Sequence, residues 1–142
     1  VTVAEGSQQI LLEISTPLGK ALEVEVDSVQ VPGSEGEFGV LPGHLPLLSA
    51  VKPGVLRYYR DGKVRTAAID AGYAEAGPGR VSVLTEGYAP PERVDVEAVT
   101  LELAEAEKRL ADFEGAHEGP AHEQVLRAQR WAEARLETAR KV

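Results

Sequence analysis

Val31-Pro32-Gly33-Ser34-Glu35-Gly36-Glu37-Phe38-Gly39-Val40-Leu41-Pro42-Gly43-His44-Leu45-Pro46-Leu47-Leu48 places four glycines and three prolines in eighteen residues. Glycine reaches positive φ and admits close backbone approach, while proline fixes its own φ and keeps the preceding residue extended. The stretch therefore reads as a rigid turn. It holds Glu35, Glu37 and His44 outward and directs Phe38, Val40, Leu41, Leu45 and Leu47 toward a core.

Around this turn, from about Ile10 to Tyr88, short alternating segments are punctuated by turn residues, the pattern of antiparallel strands with one buried face. Ala21–Asp27 alternates cleanly, with Leu22, Val24 and Val26 inward and Glu23, Glu25 and Asp27 toward water. Asp61-Gly62 joins Val55–Tyr59 to Val64–Ile69, and supplies the positive φ values of a two-residue type I′ hairpin. Gly77-Pro78-Gly79 separates Ala71–Ala74 from Val81–Thr85, and Gly19-Lys20 reads as one more hairpin turn. Many short strands at this spacing predict a sandwich or flattened barrel and argue against a parallel α/β fold.

The composition changes after Ala89-Pro90-Pro91, where glycine nearly vanishes and alanine, leucine, glutamate and arginine take over. The division predicted is a β-sandwich over 1–89 and an antiparallel two-helix hairpin over 90–142. Asp95 is the expected N-cap of the first helix, whose seam is Val96, Val99, Leu103, Ala106, Leu110 and Phe113. Gly115 can end it, Gly119-Pro120 restarts the chain, and a second helix runs from about Ala121 to Arg140 with the seam Val125, Ala128, Ala132, Leu136 and Ala139. So alanine-rich a seam buries little area, and such a pair falls short of the ~70–80 residues usual for independent stability. The hairpin should dock onto something else and be able to leave it. Its second helix is basic, with Arg127, Arg130, Arg135, Arg140 and Lys141, and can form bidentate pairs with an acidic partner. Trp131, the single tryptophan, is expected to pack within the hairpin.

A net charge of −8 argues against nucleic acid as a partner, and the absence of cysteine excludes disulfides and thiolate metal sites. There is no apolar run of the ~18 residues a membrane span needs, and Val1–Gly6 lacks a signal-peptide pattern, so a cytosolic chain with protein partners is expected. The serines lie in no nucleophile elbow, and Gly19-Lys20 lacks the spacing of a phosphate-binding loop. His117 and His122, with Glu118 and Glu123, flank the interhelical turn, but Gly119-Pro120 and the lack of further ligands favour a solvated surface over zinc. No catalytic constellation, metal site or cofactor is expected.

The run from Pro32 to Leu48 resembles the signature of the epsilon subunit of bacterial F-type ATP synthases, close to PGxxGxxGVLPGHxPLL. The likeness continues through Lys52–Leu56, Ala71–Glu75, Val81–Leu84 and the helical pair. It implies a sandwich of about ten strands and a helical hairpin, in a non-catalytic central-stalk subunit that couples proton-driven rotation to ATP synthesis. It implies contacts to the gamma subunit and the membrane rotor ring, with Glu35, Glu37 and His44 at that contact, on the cytoplasmic face of the plasma membrane without insertion. It further implies an extended hairpin that inhibits ATP hydrolysis by meeting the beta and alpha subunits, for which Arg127, Arg130 and Arg135 are the candidate contacts. Arg57-Tyr58-Tyr59-Arg60 suits either an edge strand or a gamma-facing surface. A free-standing β-sandwich binding module with a structural helical cover is the alternative.

Some members of that family bind ATP on the folded hairpin through an acid before the first helix, an (I/L)DxxRA motif and further arginines. In Val94-Asp95-Val96-Glu97-Ala98-Val99 the aspartate remains, but Ala98 stands for the arginine and Val99 for the alanine. Ala89, Glu105 and Trp131 occupy the other positions, so only Asp95 and Arg135 survive. Loss of charge-assisted hydrogen bonds worth ~1.5–3 kcal/mol each predicts no useful ATP binding by this mode.

Overall fold

The computed structural model describes residues 8–44, 46–115 and 118–140. Leu45, His117 and Lys141, assigned above to the core, the interhelical turn and the basic helix, lie outside the described residues.

Ten strands precede two helices: β1 (Ile10–Thr16), β2 (Gly19–Val26), β3 (Ser28–Gly33), β4 (Gly36–Val40), β5 (Leu47–Val51), β6 (Gly54–Arg60), β7 (Lys63–Ile69), β8 (Gly72–Ala76), β9 (Arg80–Thr85) and β10 (Tyr88–Ala89). A 3₁₀ turn at Pro91–Arg93 leads into α1 (Val96–Ala111) and α2 (Pro120–Arg140). The strands form one sheet in the order β10-β7-β6-β3-β5-β8-β9-β1-β2, with β4 paired to β3. It turns at β3, which pairs with β6 through Ser28, Val29 and Gln30 and then with β5 through Gly33. Two layers result, and their inner faces meet in one core that includes Ile10, Leu12 and Ile14 of β1, Val29 and Val31 of β3, Leu56 and Tyr58 of β6, and Val81 and Val83 of β9.

Asp61 and Gly62 have φ of 54° and 76°, as a type I′ turn requires, and β6 and β7 pair through seven residues on each side. The alternation of β2 holds, with Val26 buried, Leu22 and Val24 half-buried, and Glu23 and Glu25 exposed. Four expectations need correction. β1 and β9 run parallel, because the chain between them is long enough that no hairpin forces them antiparallel. The tight turn after β1 is Pro17-Leu18, with Gly19 opening β2 at φ 119°. The stretch expected to be a turn is largely a ladder of β3 against β4, with its reversal only at Ser34-Glu35. In that stretch Val40 is buried and Phe38 packs on the core, yet Leu41 and Leu47 are 63% and 38% exposed.

The helices begin and end close to where their caps direct. Asp95 Oδ1 accepts from the Ala98 N–H at 3.1 Å, and α1 stops at Ala111, four residues before Gly115, so Phe113 lies beyond the helix. Val99 and Ala106 are buried in the expected seam, and Leu103 and Leu110 half-buried, whereas Val96 is exposed in the first turn. In α2 Val125 and Ala132 are buried and Ala128 is exposed.

Close backbone packing between β8 and β9 should make Gly72 irreplaceable, since a β-carbon there would overlap the Leu84 carbonyl of the neighbouring strand. Gly72→Ala is expected to destabilise the fold by at least the ~1–3 kcal/mol typical of overpacking, measured by chemical denaturation.

Candidate functional site

Val55, Arg57, Thr66 and Ala68 lie on the side of the β6–β7 ribbon away from the core, as the alternation with Leu56, Tyr58, Ala67 and Ile69 dictates. This outer face receives α2. The helix meets the sheet with Arg127, Trp131, Ala134 and Thr138, spaced four, three and four residues apart, one stripe of an α-helix. The Thr138 and Thr66 hydroxyls are 2.5 Å apart, and Ala134 and Thr138 are buried. The indole of Trp131 lies over Gly87, where a β-carbon would come within 2.9 Å of the ring. Trp131 thus packs against the sandwich rather than only within the hairpin.

Arg127 of α2 also grips Asp70 of the sandwich. Nε donates to Oδ1 at 3.0 Å and Nη2 to Oδ2 at 3.1 Å, a bidentate pair. The Asp70 side chain is only 12% exposed, against 45% for Arg127. Asp70 is fixed at the β7–β8 junction: its N–H donates to the Gly87 carbonyl at 3.0 Å, its carbonyl accepts from Thr85 Oγ1 at 2.8 Å, and Oδ1 also accepts from the Ala71 N–H at 2.7 Å. The hydrogen bonds to Asp70 hold the Arg127 guanidinium above its ordinary pKa.

Arg135 faces the other helix. It donates to Glu102 of α1 at 2.9 and 3.3 Å, and its guanidinium lies 4.8 Å from the centre of the Trp131 ring. Arg130 is exposed and makes no ion pair among the described residues; it lines a cleft of about 320 Å³ with Ser34, Lys52 and Arg127. The three candidate arginines are therefore in three different states, one clamped to the sheet, one to α1 and one facing solvent. Arg57 belongs to an interior strand, paired with both β3 and β7, not to an edge.

Glu35, Glu37 and His44 are not gathered at one point. Glu35 is exposed at the β3–β4 reversal, beside the end of β5 through the Ser34 N–H to Ala50 carbonyl bond of 2.9 Å. His44 is half-buried beyond the other end of β4, where its N–H closes a turn onto the Leu41 carbonyl at 3.1 Å and Gly43 reaches the Pro78 carbonyl at 2.8 Å. Glu37 is exposed and paired with Arg57 at 3.2 Å. Asp95 caps α1, and Glu105 is exposed. Around His122 no group of three His, Asp or Glu side chains suited to a metal forms among the described residues, and its ring meets Phe113 edge-on at 5.1 Å.

An apolar surface absent from the sequence reading lies on the outer side of β5, β8 and β9. Leu48, Tyr73 and Leu84 are 70%, 60% and 61% exposed, and the pairings Ala50–Tyr73 and Tyr73–Leu84 put Ala50, Tyr73 and Leu84 in one row. Their signal was a large apolar residue in the water-facing phase of an alternating strand, as with Leu84 between Val83 and Thr85.

The sequence model of ATP synthase, Delta/Epsilon chain, beta-sandwich domain matches residues 9–91, more than half the chain. The chain belongs to the ATP synthase delta/epsilon family. It is 41% identical over 135 residues to the ATP synthase epsilon chain of Syntrophobacter fumaroxidans, covering 95% of this chain and 98% of that one. With the epsilon chain of Desulfitobacterium hafniense it shares 38% identity over 117 residues, 82% of this chain and 89% of the relative. Among solved structures it resembles a chain of the Euglena gracilis mitochondrial ATP synthase (OSCP/F1/c-ring), with TM-score 0.76, 28% identity and coverage of 92% and 81%. A chain of the Tetrahymena thermophila mitochondrial central stalk and c-ring shares the fold, with TM-score 0.59 at 11% identity. Epsilon chains are non-catalytic stalk subunits, and this chain is one of them. Among the described residues no helix is long and apolar enough to cross a membrane.

Because Trp131 is the only tryptophan and sits in the dock, its fluorescence reports docking directly. Asp70→Asn should weaken the dock by about 1–2 kcal/mol, below the full value of a charged hydrogen-bond pair because Arg127 is partly solvated. Gly87→Ala should push the indole outward, and both variants should shift its emission to the red with the sheet intact by circular dichroism.

Proposed function

We propose that this epsilon chain is the coupling and regulatory subunit of the central stalk of a proton-translocating ATP synthase. In this reading residues 1–89 anchor the subunit on gamma and the rotor ring, and residues 90–142 form a detachable regulator. The apolar row of Ala50, Tyr73 and Leu84 suits burial against a partner helix, and Glu35, Glu37 and His44 supply polar contacts along the β4 edge and its two ends. The subunit then works at the cytoplasmic face of the bacterial plasma membrane, carried there by its partners.

The observation that carries the regulatory half is the bidentate Arg127–Asp70 pair. An arginine that grips a carboxylate of its own chain can exchange it for a carboxylate of another. The other contacts in the dock are of the same exchangeable kind: a hydroxyl pair, an ion pair whose carboxylate is half exposed and one indole over a glycine. Undocking also returns Asp70 to water, so no charge stays buried without a partner. Two states separated by a few kcal/mol are what a ligand of modest differential affinity can switch. In the extended state Arg127, Arg130 and Arg135 are the groups that would meet acidic side chains of the beta and alpha subunits and arrest ATP hydrolysis.

Thr66→Cys with Thr138→Cys tests this, because the sulfurs replace hydroxyls 2.5 Å apart in a chain without other cysteines. On the cognate catalytic head with gamma, the reduced double variant is expected to suppress ATP hydrolysis several-fold. The oxidised form should bind equally well and suppress nothing. Equal suppression by both forms would show that the inhibitor is not the released hairpin. Titration of the isolated chain with millimolar ATP is expected to give no saturable heat, since Glu105 and Trp131 stand where cationic groups are required.

A further inference from the structure

Arg57 lies between two carboxylates that belong to separate parts of the chain. Its Nη1 donates to Glu37 Oε2 at 3.2 Å and its Nη2 to Glu137 Oε2 at 3.0 Å. Glu37 is on β4, within the glycine-rich signature, and Glu137 is in the last turn of α2. The Arg57 side chain is only 20% exposed, while the two glutamates are 51% and 46% exposed, so a shielded cation serves two anions that solvent and partners can reach. Glu137 is next to Thr138, whose hydroxyl contacts Thr66, the residue across the ladder from Arg57. The triad thus spans the outer face from the β4 edge to the end of the helical hairpin.

Its charge is net negative, and that sets the sign of the coupling. The two glutamates draw through separate nitrogens on the one positive charge of the guanidinium, so each weakens the other's pairing with it. Neutralising or occupying Glu37 leaves the guanidinium charge wholly to Glu137, which strengthens the dock. We propose that Glu37 is a handle on the hairpin: a cationic side chain of a partner that engages Glu37 holds α2 on the sheet, and loss of that contact loosens it. The interaction surface is the Glu37 side of the β4 strand, and the partner chemistry it fits is a lysine or arginine. The role of a partner rests on the stalk reading above, but the coupling between Glu37 and the hairpin is a property of the isolated chain.

The experiment therefore uses the full chain alone. Because it contains no cysteine, Val64→Cys on β7 and Glu133→Cys on α2, both exposed positions, accept a pair of spin labels that reports the distance between sheet and helix. Hairpin release is titrated with urea in the labelled chain and in its Glu37→Gln, Arg57→Gln and doubly substituted forms. Glu37→Gln is expected to shift the equilibrium toward the docked state by ~2- to 5-fold, the range of a partly solvated ion pair. Arg57→Gln should loosen the dock, and in its background Glu37→Gln should shift nothing. No shift, or the same shift with Arg57 removed, would overturn the relay. Such a failure leaves the stalk assignment standing, and failure of the locked-hairpin assay leaves the coupling standing.

Discussion

The Asp70 carboxylate is where sheet and helix are held to one another, and the regulatory reading depends on how it is held. Its backbone is fixed by Gly87 and Thr85, and one carboxylate oxygen by the Ala71 N–H, so it meets Arg127 already oriented. A pre-oriented carboxylate and a planar guanidinium form a directional contact with little further loss of freedom. That directionality sets the register of α2 on β6 and β7: once Arg127 is placed, Trp131, Ala134 and Thr138 fall on the sheet in turn.

The chemistry of the dock differs from that of the core below it. In the sandwich, aliphatic side chains of both layers are removed from water together, and no single contact can be given up without exposing others. In the dock, each contact has an equivalent elsewhere. On the proposed function, a carboxylate on a partner would replace Asp70, water Thr66, and another apolar surface Gly87 beneath the indole. The outer helix adds restraint of the same type, since α1 is tied to α2 by a thin seam of Val99, Ala106, Val125 and Ala132 and by the Arg135–Glu102 pair. On the proposed function, a stable anchor and a releasable arm arise from one chain by a change in the kind of side chain that is buried.

The parts of this arrangement legible in the sequence were those with a local cause. Asp61-Gly62 has to adopt positive φ, Asp95 precedes a seam at helical spacing, and Ala21–Asp27 alternates, so a hairpin, a capped helix and a half-buried strand could be read from a few residues each. Pairings across the chain could not. The parallel β1–β9 contact joins segments some seventy residues apart, and neither carries a mark of its neighbour. The docking was expected, but the stripe of residues that makes it was missed, for a different reason. Arg127, Trp131, Ala134 and Thr138 have the spacing of a buried face but not its hydrophobicity, so the alanine and leucine positions alongside drew attention instead. The exposed Leu48, Tyr73 and Leu84 show the converse, apolar residues in a polar phase, which a closer reading of the alternation would have revealed.

Amide hydrogen exchange across the isolated full chain tests most directly whether the dock is a separate, weaker unit. α1 and α2 are expected to exchange together through a sub-global opening, well before β1, β6 and β9, whose amides exchange only when the sandwich unfolds. If α2 and the β6–β7 ribbon instead exchange with the same free energy, by global unfolding alone, the hairpin is an integral layer of the fold and the exchangeable dock is contradicted.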